Sequence, residues 1–348
     1  MRIEAQPPPT DASPQEPSPF SGLPEEILTH ILTEVAITDV AALVRMAQVC
    51  KRLAYLVLTE ESVWKRVTMG EEFGFGAMKY DYVCDIEGFP LESNNEIARY
   101  LNDDTYDELL GDDTTLRVPA NPSVAISNTT SHLLQTHYSS YLHMFRTRPR
   151  IRFNGCYIST VNYTRPGATS TNTLSWGTPV HVVTYFRYLR FFRDGSCISL
   201  LTTVEPADVV HHLTKANLAL HSQTTHSTAL PSSVMKDALH GRWRLSGPAS
   251  TTKIAPSTAP DQTPHSQPQL QEDEAEGDVH IETEGVIPKY TYKLQLGLGH
   301  AGKGTRNNKL SWKGFWSYNR LTDDWGEFGL KNDRAFYWSR VRSFGMGY

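Results

Sequence analysis

Cysteine is scarce in this chain and scattered. Cys50, Cys84, Cys156 and Cys197 lie far apart and form no C-x-x-C pair. That spacing excludes a disulfide framework and a cysteine zinc site, and it fits free thiols in a reducing compartment. Long apolar runs are also missing. Nothing approaches the roughly 18–20 consecutive apolar residues of a membrane-spanning helix, so no membrane association is expected. The first 19 residues hold six prolines and no apolar segment, unlike a secretory signal. Without secretion, the N-x-T sequons at Asn128 and Asn162 carry no weight. An excess of positive charge is absent as well. Lys and Arg total 33 against 38 Asp and Glu, for a formal charge of −5. Seven of the acids (Glu272, Asp273, Glu274, Glu276, Asp278, Glu282, Glu284) crowd into 272–284, which leaves 33 bases against 31 acids elsewhere. So balanced a body argues against a nucleic-acid partner.

Catalytic signatures are missing in the same way. There is no H-E-x-x-H among the 13 histidines and no G-x-S-x-G elbow. His280-Ile281-Glu282 lacks the downstream P-C-x-x-C of zinc deaminases. Gly297–Thr305 reads as G-x-x-x-x-G-K, but Gly304 stands where the phosphate loop needs Ser or Thr for magnesium. A strand pattern follows it, not the helix whose N-terminus would meet the phosphates. The acid pairs at 103–104, 112–113 and 323–324 read as turn and surface charge. The chain is expected to be no enzyme and to need no metal or other cofactor.

What is present divides the chain in two. Residues 1–19 are expected to be a disordered tail, and 20–68 a compact three-helix module. Pro24 suits a first helical turn, where its missing N–H costs nothing. Glu25 and Glu26 oppose the positive end of the helix dipole. Ile27, Leu28, Ile31, Leu32 and Val35 recur at helical spacing. Thr38 and Asp39 can cap a second helix. Leu43, Val44, Val49, Cys50, Leu53 and Leu56 continue the pattern, and Trp64 lies in a last short helix. Residues 69–147 read as a connector: a Gly-rich stretch, a weak acidic helix over 95–110, a turn-rich piece over 117–128, and a helix over 131–145 that stops before Pro149.

From 148 to 348 the pattern is β. Eight or nine short runs rich in Val, Ile, Thr and Tyr fit an antiparallel meander or an up-and-down barrel, as in lipocalins. The runs begin at Ile151–Phe153 and end at Ala335–Ser343. Arg193-Asp194-Gly195-Ser196 reads as a hairpin turn, with Asp-Gly supplying positive φ angles. Residues 246–286 read as a disordered, finally acidic insertion. The overall expectation is an α+β protein.

The helical module resembles an F-box. The residues that carry the likeness are Leu23-Pro24-Glu25-Glu26-Ile27-Leu28, Ile31-Leu32, Val49-Cys50-Lys51-Arg52 and Val63-Trp64-Lys65. They fall in the family's order and spacing, with Leu53 where many members carry Trp or Phe. The bottom-up reading agrees in kind. Some 45 residues is near the limit for independent folding, and three helices carry more apolar side chains than one small core can hide. The resemblance implies docking onto the Skp linker, and through it onto the cullin and RING subunits of a ubiquitin ligase. It assigns Leu23, Pro24, Ile27, Leu28, Ile31, Leu32, Val49, Cys50 and Trp64 to the linker-binding or F-box core set, without dividing them between the two.

A second resemblance, to the F-box only protein nine family, begins at Arg148-Pro149-Arg150-Ile151-Arg152-Phe153-Asn154-Gly155. It continues through Tyr185–Phe192 with Asp194-Gly195, Leu201-Thr202-Thr203, Asn308-Lys309-Leu310 and Ser339–Ser343. Many members carry a tetratricopeptide region ahead of the F-box. Only about 20 residues precede it here, so that contact surface is expected to be absent. The likeness implies the substrate-receiving arm of the ligase, presenting an unidentified target protein through the β domain, in the cytoplasm or nucleus. The alternatives are a small-ligand-binding barrel coupled to an F-box, and an F-box protein that serves the linker outside the ligase. Arg148, Arg150 and Arg152 alternate along an extended segment, which puts them on one side. They are candidate contacts for acidic or phosphorylated target groups, or else a solvated strand face or partners for the chain's own acids.

Overall fold

The computed structural model describes residues 22–91, 130–166, 180–223, 233–247 and 276–347. The expected N-terminal tail, the weak helix over 95–110, the connector piece over 117–128 and the insertion up to residue 275 lie outside the described residues. The chain forms two compact units, Met1–Val67 and Thr68–Tyr348.

The first unit is helical. It comprises α1 (Glu25–Thr38), α2 (Val40–Met46), α3 (Lys51–Thr59) and α4 (Glu61–Met69), four helices where the pattern suggests three. Pro24 stands at the cap position just before α1 rather than inside its first turn. Its carbonyl accepts from Leu28 N at 3.2 Å. Asp39 caps α2 as expected, its carboxylate accepting from Ala41 N at 2.9 Å. Leu28, Leu32 and Ala36 repeat every fourth residue along the inward side of α1 and are almost wholly buried with Leu43, Leu53, Leu56 and Val57. The Trp64 indole N–H donates to Val57 O at 2.6 Å and fastens α4 to α3.

The second unit is a closed barrel. Its strands are β1 (Gly155–Pro166), β2 (Val180–Phe191), β3 (Ser196–Thr202), β4 (Leu239–Leu245), β5 (Asp278–Glu284), β6 (Tyr290–Gly299), β7 (Lys309–Asn319), β8 (Asp324–Glu327) and β9 (Phe336–Arg340). Every pairing is antiparallel. Neighbours follow in sequence from β1 to β7; β9 then closes the ring between β7 and β1, and β8 adds to β7 outside the eight-stranded ring. Period-two alternation sends Tyr157, Leu189, Phe191, Trp243, Ile281, Leu294 and Phe336 inward to one core. Trp243 is fully buried, edge-on to Phe191, which is in turn edge-on to Tyr157. The Trp243 indole N–H donates to Phe192 O at 2.9 Å.

Four sequence expectations are corrected here. Residues 276–286 belong to the barrel and not to the insertion. Val279 and Ile281 point into the core, and the acids that read as disorder are paired: Asp278 with Lys313 at 2.6 Å and Glu282 with Arg242 at 2.6 Å. The helix expected over 131–145 is two, 130–136 and Tyr141–Thr147. Ser140 breaks it by turning extended and capping the second with its hydroxyl, which accepts from His143 N at 3.0 Å. Residues 151–153 form no strand. In the 193–196 turn only Gly195 has positive φ, at 90°. Asp194 acts through its side chain, accepting from Ser196 N at 3.1 Å and Ser196 Oγ at 2.7 Å.

Candidate functional site

The helical unit sorts the nine residues of the linker-binding and core set by burial. Leu28 (2% exposed), Leu32 (0%) and Trp64 (3%) form its interior. Ile27 is 48% exposed and Val49 73%. Pro24 and Cys50 are exposed, and Leu23 and Ile31 half-buried. The division follows helix geometry. Ile27 and Ile31 each lie about 100° around the axis from the next residue, Leu28 and Leu32, so one row packs inward while its neighbour stays more accessible.

Local bonds bring the accessible residues to one corner. Arg52 Nη2 donates to Leu23 O at 2.9 Å, which ties the start of α1 to the start of α3. Val49 and Cys50 immediately precede α3, and the Cys50 thiol caps it by accepting from Leu53 N at 3.5 Å. Cys50 thus fixes the direction in which α3 leaves the loop and stays accessible itself. The linker-binding and core set leaves out three further exposed apolar residues, Val44 (48%), Tyr55 (63%) and Leu58 (62%). The signal was available. Tyr55 and Leu58 are one turn apart on α3, out of phase with the buried Leu53, Leu56 and Val57.

The three arginines of the barrel unit fare differently. Arg148 is not part of a strand; it is the C-terminal cap of helix Tyr141–Thr147, where the backbone turns extended. It is 1% exposed, stacks 4.5 Å from the Phe75 ring centre, and donates to Glu276 at 2.9 Å and to Tyr80 Oη at 3.0 Å. Arg150 packs 3.9 Å from the Phe145 ring centre. Burial, reinforced by the neighbouring charge of Arg152, lowers its pKa from the usual guanidinium value. Arg152 donates to Arg306 O at 2.6 Å and covers Trp338. Arg148 has no surface to offer. The contacts of the three arginines join the barrel to its preceding helix and loops.

Among the described residues, no group of three or more His, Cys, Asp or Glu could hold a metal ion. No helix among them is long and apolar enough to cross a membrane. Gly297–Thr305 runs from the end of β6 into a loop followed by β7, not by a helix.

Comparison with known proteins places these two units. Residues 20–69 match the family described as F-box-like. Residues 131–263 match the F-box only protein C-terminal region. Among curated proteins, the chain is 29% identical over 220 residues to F-box protein pof7 of Schizosaccharomyces pombe, covering 63% of this chain and 50% of that one. It is 51% identical over 79 residues to F-box protein HRT3 of Saccharomyces cerevisiae, 23% of each chain. The chain thus spans half the length of the first relative and about a quarter of the second. No solved structure matches. The helical unit is thus similar to an F-box, and the segment that carries β1 to β4 of the following barrel is similar to an F-box only C-terminal region, in that order along one chain.

Proposed function

We propose that the chain is the non-catalytic substrate-recognition subunit of an SCF-type ubiquitin ligase. The helical unit docks on the Skp linker and reaches the cullin and RING subunits through it. The barrel unit presents a target protein. Acceleration then comes from proximity, since holding the target's lysines near a charged ubiquitin carrier raises their effective concentration. The reading places the protein in the reducing cytoplasm or nucleus. It rests on one observation above all: a small unit matching the F-box leaves Ile27, Val49, Tyr55 and Leu58 largely in solvent. Covering an Ile or Leu is worth about 1.5–3 kcal/mol, so a few such side chains can drive association past its ordering costs.

The test separates the accessible row from the core. In Ile27→Asp/Ile31→Asp, the linker is expected to be lost from the co-purified complex while the barrel melts as in the wild type. Unchanged linker recovery would place the docking surface elsewhere. The small-ligand alternative gains little support from a barrel interior filled by Tyr157, Phe191, Trp243 and Phe336, each fully buried.

A further inference from the structure

The outer side of the barrel is finished differently around the ring. On β1–β3 the outward residues Tyr188, Ile198 and Leu200 are sealed by Val209, Leu213 and Met235 from the segment that crosses from β3 to β4. On β4–β8 the outward positions carry bases and aromatic rings. The pairing register sets Arg242, Glu282, Lys293 and Trp316 in one row across four strands. Arg244 and His280 lie on one side of that row, and Thr291, Tyr318 and Trp325 on the other. With Tyr82 and Ile86 these positions bound a groove of about 690 Å³. A neighbouring cavity of about 590 Å³ shares Arg242, Arg320 and Ile86 with it and ends among Asp85, Glu87 and Glu284.

The groove is positive and held in shape. Glu282 accepts from Arg242 at 2.6 Å and pairs with Lys293 at 3.0 Å, so one carboxylate serves two cations. Arg320 Nε donates to Thr291 Oγ1 at 2.9 Å. The other acid of the lining, Asp323, is engaged by the Tyr318 hydroxyl at 2.7 Å. The Arg242 guanidinium lies 4.4 Å from the Tyr82 ring centre, and Lys293 Nζ 4.8 Å from that of Trp325. Trp325 leans on Tyr318, their ring centres 4.7 Å apart, yet is 39% exposed. At one end the β5–β6 and β7–β8 loops are joined by Arg320 N donating to Lys289 O at 2.9 Å. Their tips expose Val286 (78%), Ile287 (52%) and Leu321 (77%). Preformed concavity, ring faces and convergent cations mark a binding site rather than an ordinary solvated sheet face.

We propose that this groove receives an extended acidic segment of a target protein, one that carries an aromatic or large apolar side chain beside its anionic groups. The proposal rests on the reading of the barrel as the target-presenting arm. The anions meet Arg242, Arg244 and Lys293, and the apolar side chain covers Trp316 and Trp325. The acidic end at Asp85, Glu87 and Glu284 repels further negative charge, so the segment lies in one direction, with its neutral or basic part over those residues. The same acids disfavour a nucleic-acid backbone, whose charge is unbroken along its length. Carboxylate and phosphoserine are equivalent in this chemistry and are separated by experiment.

The test uses the full chain without linker and follows the anisotropy of a dye-labelled peptide of alternating glutamate and tyrosine. Its counterparts replace glutamate by lysine, tyrosine by serine, or glutamate by phosphoserine, and an oligothymidylate serves as competitor. The acidic tyrosine peptide is expected to bind, and the lysine peptide not to. The serine counterpart should bind more weakly. Trp325→Ala/Arg320→Glu is expected to weaken binding by roughly tenfold or more, as for an interface anchor. Trp325→Phe should retain it, and so should Lys303→Glu on the β6–β7 loop at the other end of those strands. Tighter binding of the phosphoserine peptide assigns the anion to phosphate, and equal binding assigns it to carboxylate; both support the groove. Absent binding, equal binding of the lysine peptide, displacement by oligothymidylate, or an unaffected Trp325→Ala/Arg320→Glu variant that melts like wild type would each overturn it. Because no linker is present, failure here leaves linker docking standing. Linker loss in Ile27→Asp/Ile31→Asp with peptide binding intact leaves the groove standing.

Discussion

Leu32→Ala and Ile27→Ala remove similar side chains from the same helix, and the structure expects opposite consequences. Leu32 is wholly buried and Ile27 is 48% exposed. Truncating a buried leucine costs about 2–5 kcal/mol through lost burial and the cavity left behind. The helical unit is small. At roughly 0.05–0.15 kcal/mol per residue, its described part should hold about 2–7 kcal/mol in all. Leu32→Ala therefore consumes much or all of the unit's stability. Ile27→Ala, with little burial to lose, should stay within about 1 kcal/mol. Amide hydrogen exchange read by mass spectrometry resolves the two units separately. In Leu32→Ala, peptides from α1–α4 should exchange faster by about 30-fold or more, at 1.4 kcal/mol per factor of ten, with the barrel peptides unchanged. Ile27→Ala should change the same peptides by about fivefold at most. Saturating linker should restore much of the protection in Leu32→Ala, because binding to the folded form adds stability by mass action. Equal effects of the two truncations, or loss of protection in the barrel as well, would refute the division into an inward and an accessible row.

Glu282 sets an acid-sensitive contribution to the barrel. Burial acts to raise its pKa, but the hydrogen bonds and charges of Lys293 and Arg242 outweigh it and hold the carboxyl below the usual range. A depressed folded-state value gives stability that is complete above the unfolded pKa of about 4.3 and is lost as pH falls through the folded value. Melting curves of wild type and Glu282→Gln should differ at neutral pH and converge toward strong acid; parallel curves would contradict the ion-pair geometry. Gly195→Ala should lower the barrel's stability by about 1–3 kcal/mol, since φ is 90° and a Cβ would stand 2.5 Å from Val83 Cγ2; an unchanged chemical-denaturation midpoint would show that the turn relaxes freely. The two proposed contacts should also separate by salt. Linker retention through apolar residues is expected to survive added sodium chloride, whereas acidic-peptide binding should weaken steadily as the groove's charges are screened. Titrations at several salt concentrations check this, and a common salt dependence would argue against the assignment.

Much of the helical unit was legible because each helix announces itself locally. The i, i+4 rows on α1, the Asp39 cap and the terminal Trp64 need no partner from elsewhere in the chain to be read. Which row packs inward is not written in that periodicity, since Ile27 and Leu28 are equally apolar and only the placement of α2 and α3 decides between them. β5 was hidden for the complementary reason. Its inward residues Val279 and Ile281 are interleaved with acids that look like solvated charge until Lys313 and Arg242, 35 and 40 residues away, supply the neutralising partners. Arg148 misled through the same kind of absence. Alternation with Arg150 and Arg152 suggested a strand face, but Arg148 closes a helix that Ser140 restarts, and its partners Phe75, Tyr80 and Glu276 are far away in sequence.

The groove was illegible for a further reason, which bears on what it does. By residue type alone Trp316, Tyr318 and Trp325 cannot be told from the neighbouring Trp312 and Phe315, which do pack against the core. The register places Trp316 and Tyr318 opposite Lys293 and Thr291, on the side away from the inward-facing Leu294. A sheet face exposed only to water has no need of large rings there; threonine and lysine serve it at lower aggregation risk. On β1–β3 the chain covers its outward apolar residues with its own crossing segment. On β4–β8 the rings and bases are held in place by cation–ring stacking and one shared carboxylate, and they stay partly accessible. The polar grip keeps the rings oriented and soluble when the groove is empty, and the charge surplus selects what can fill it. Such a surface fits a short segment of defined charge better than a broad apolar face, which suits the proposed target-presenting role, in which a target must be held and then released.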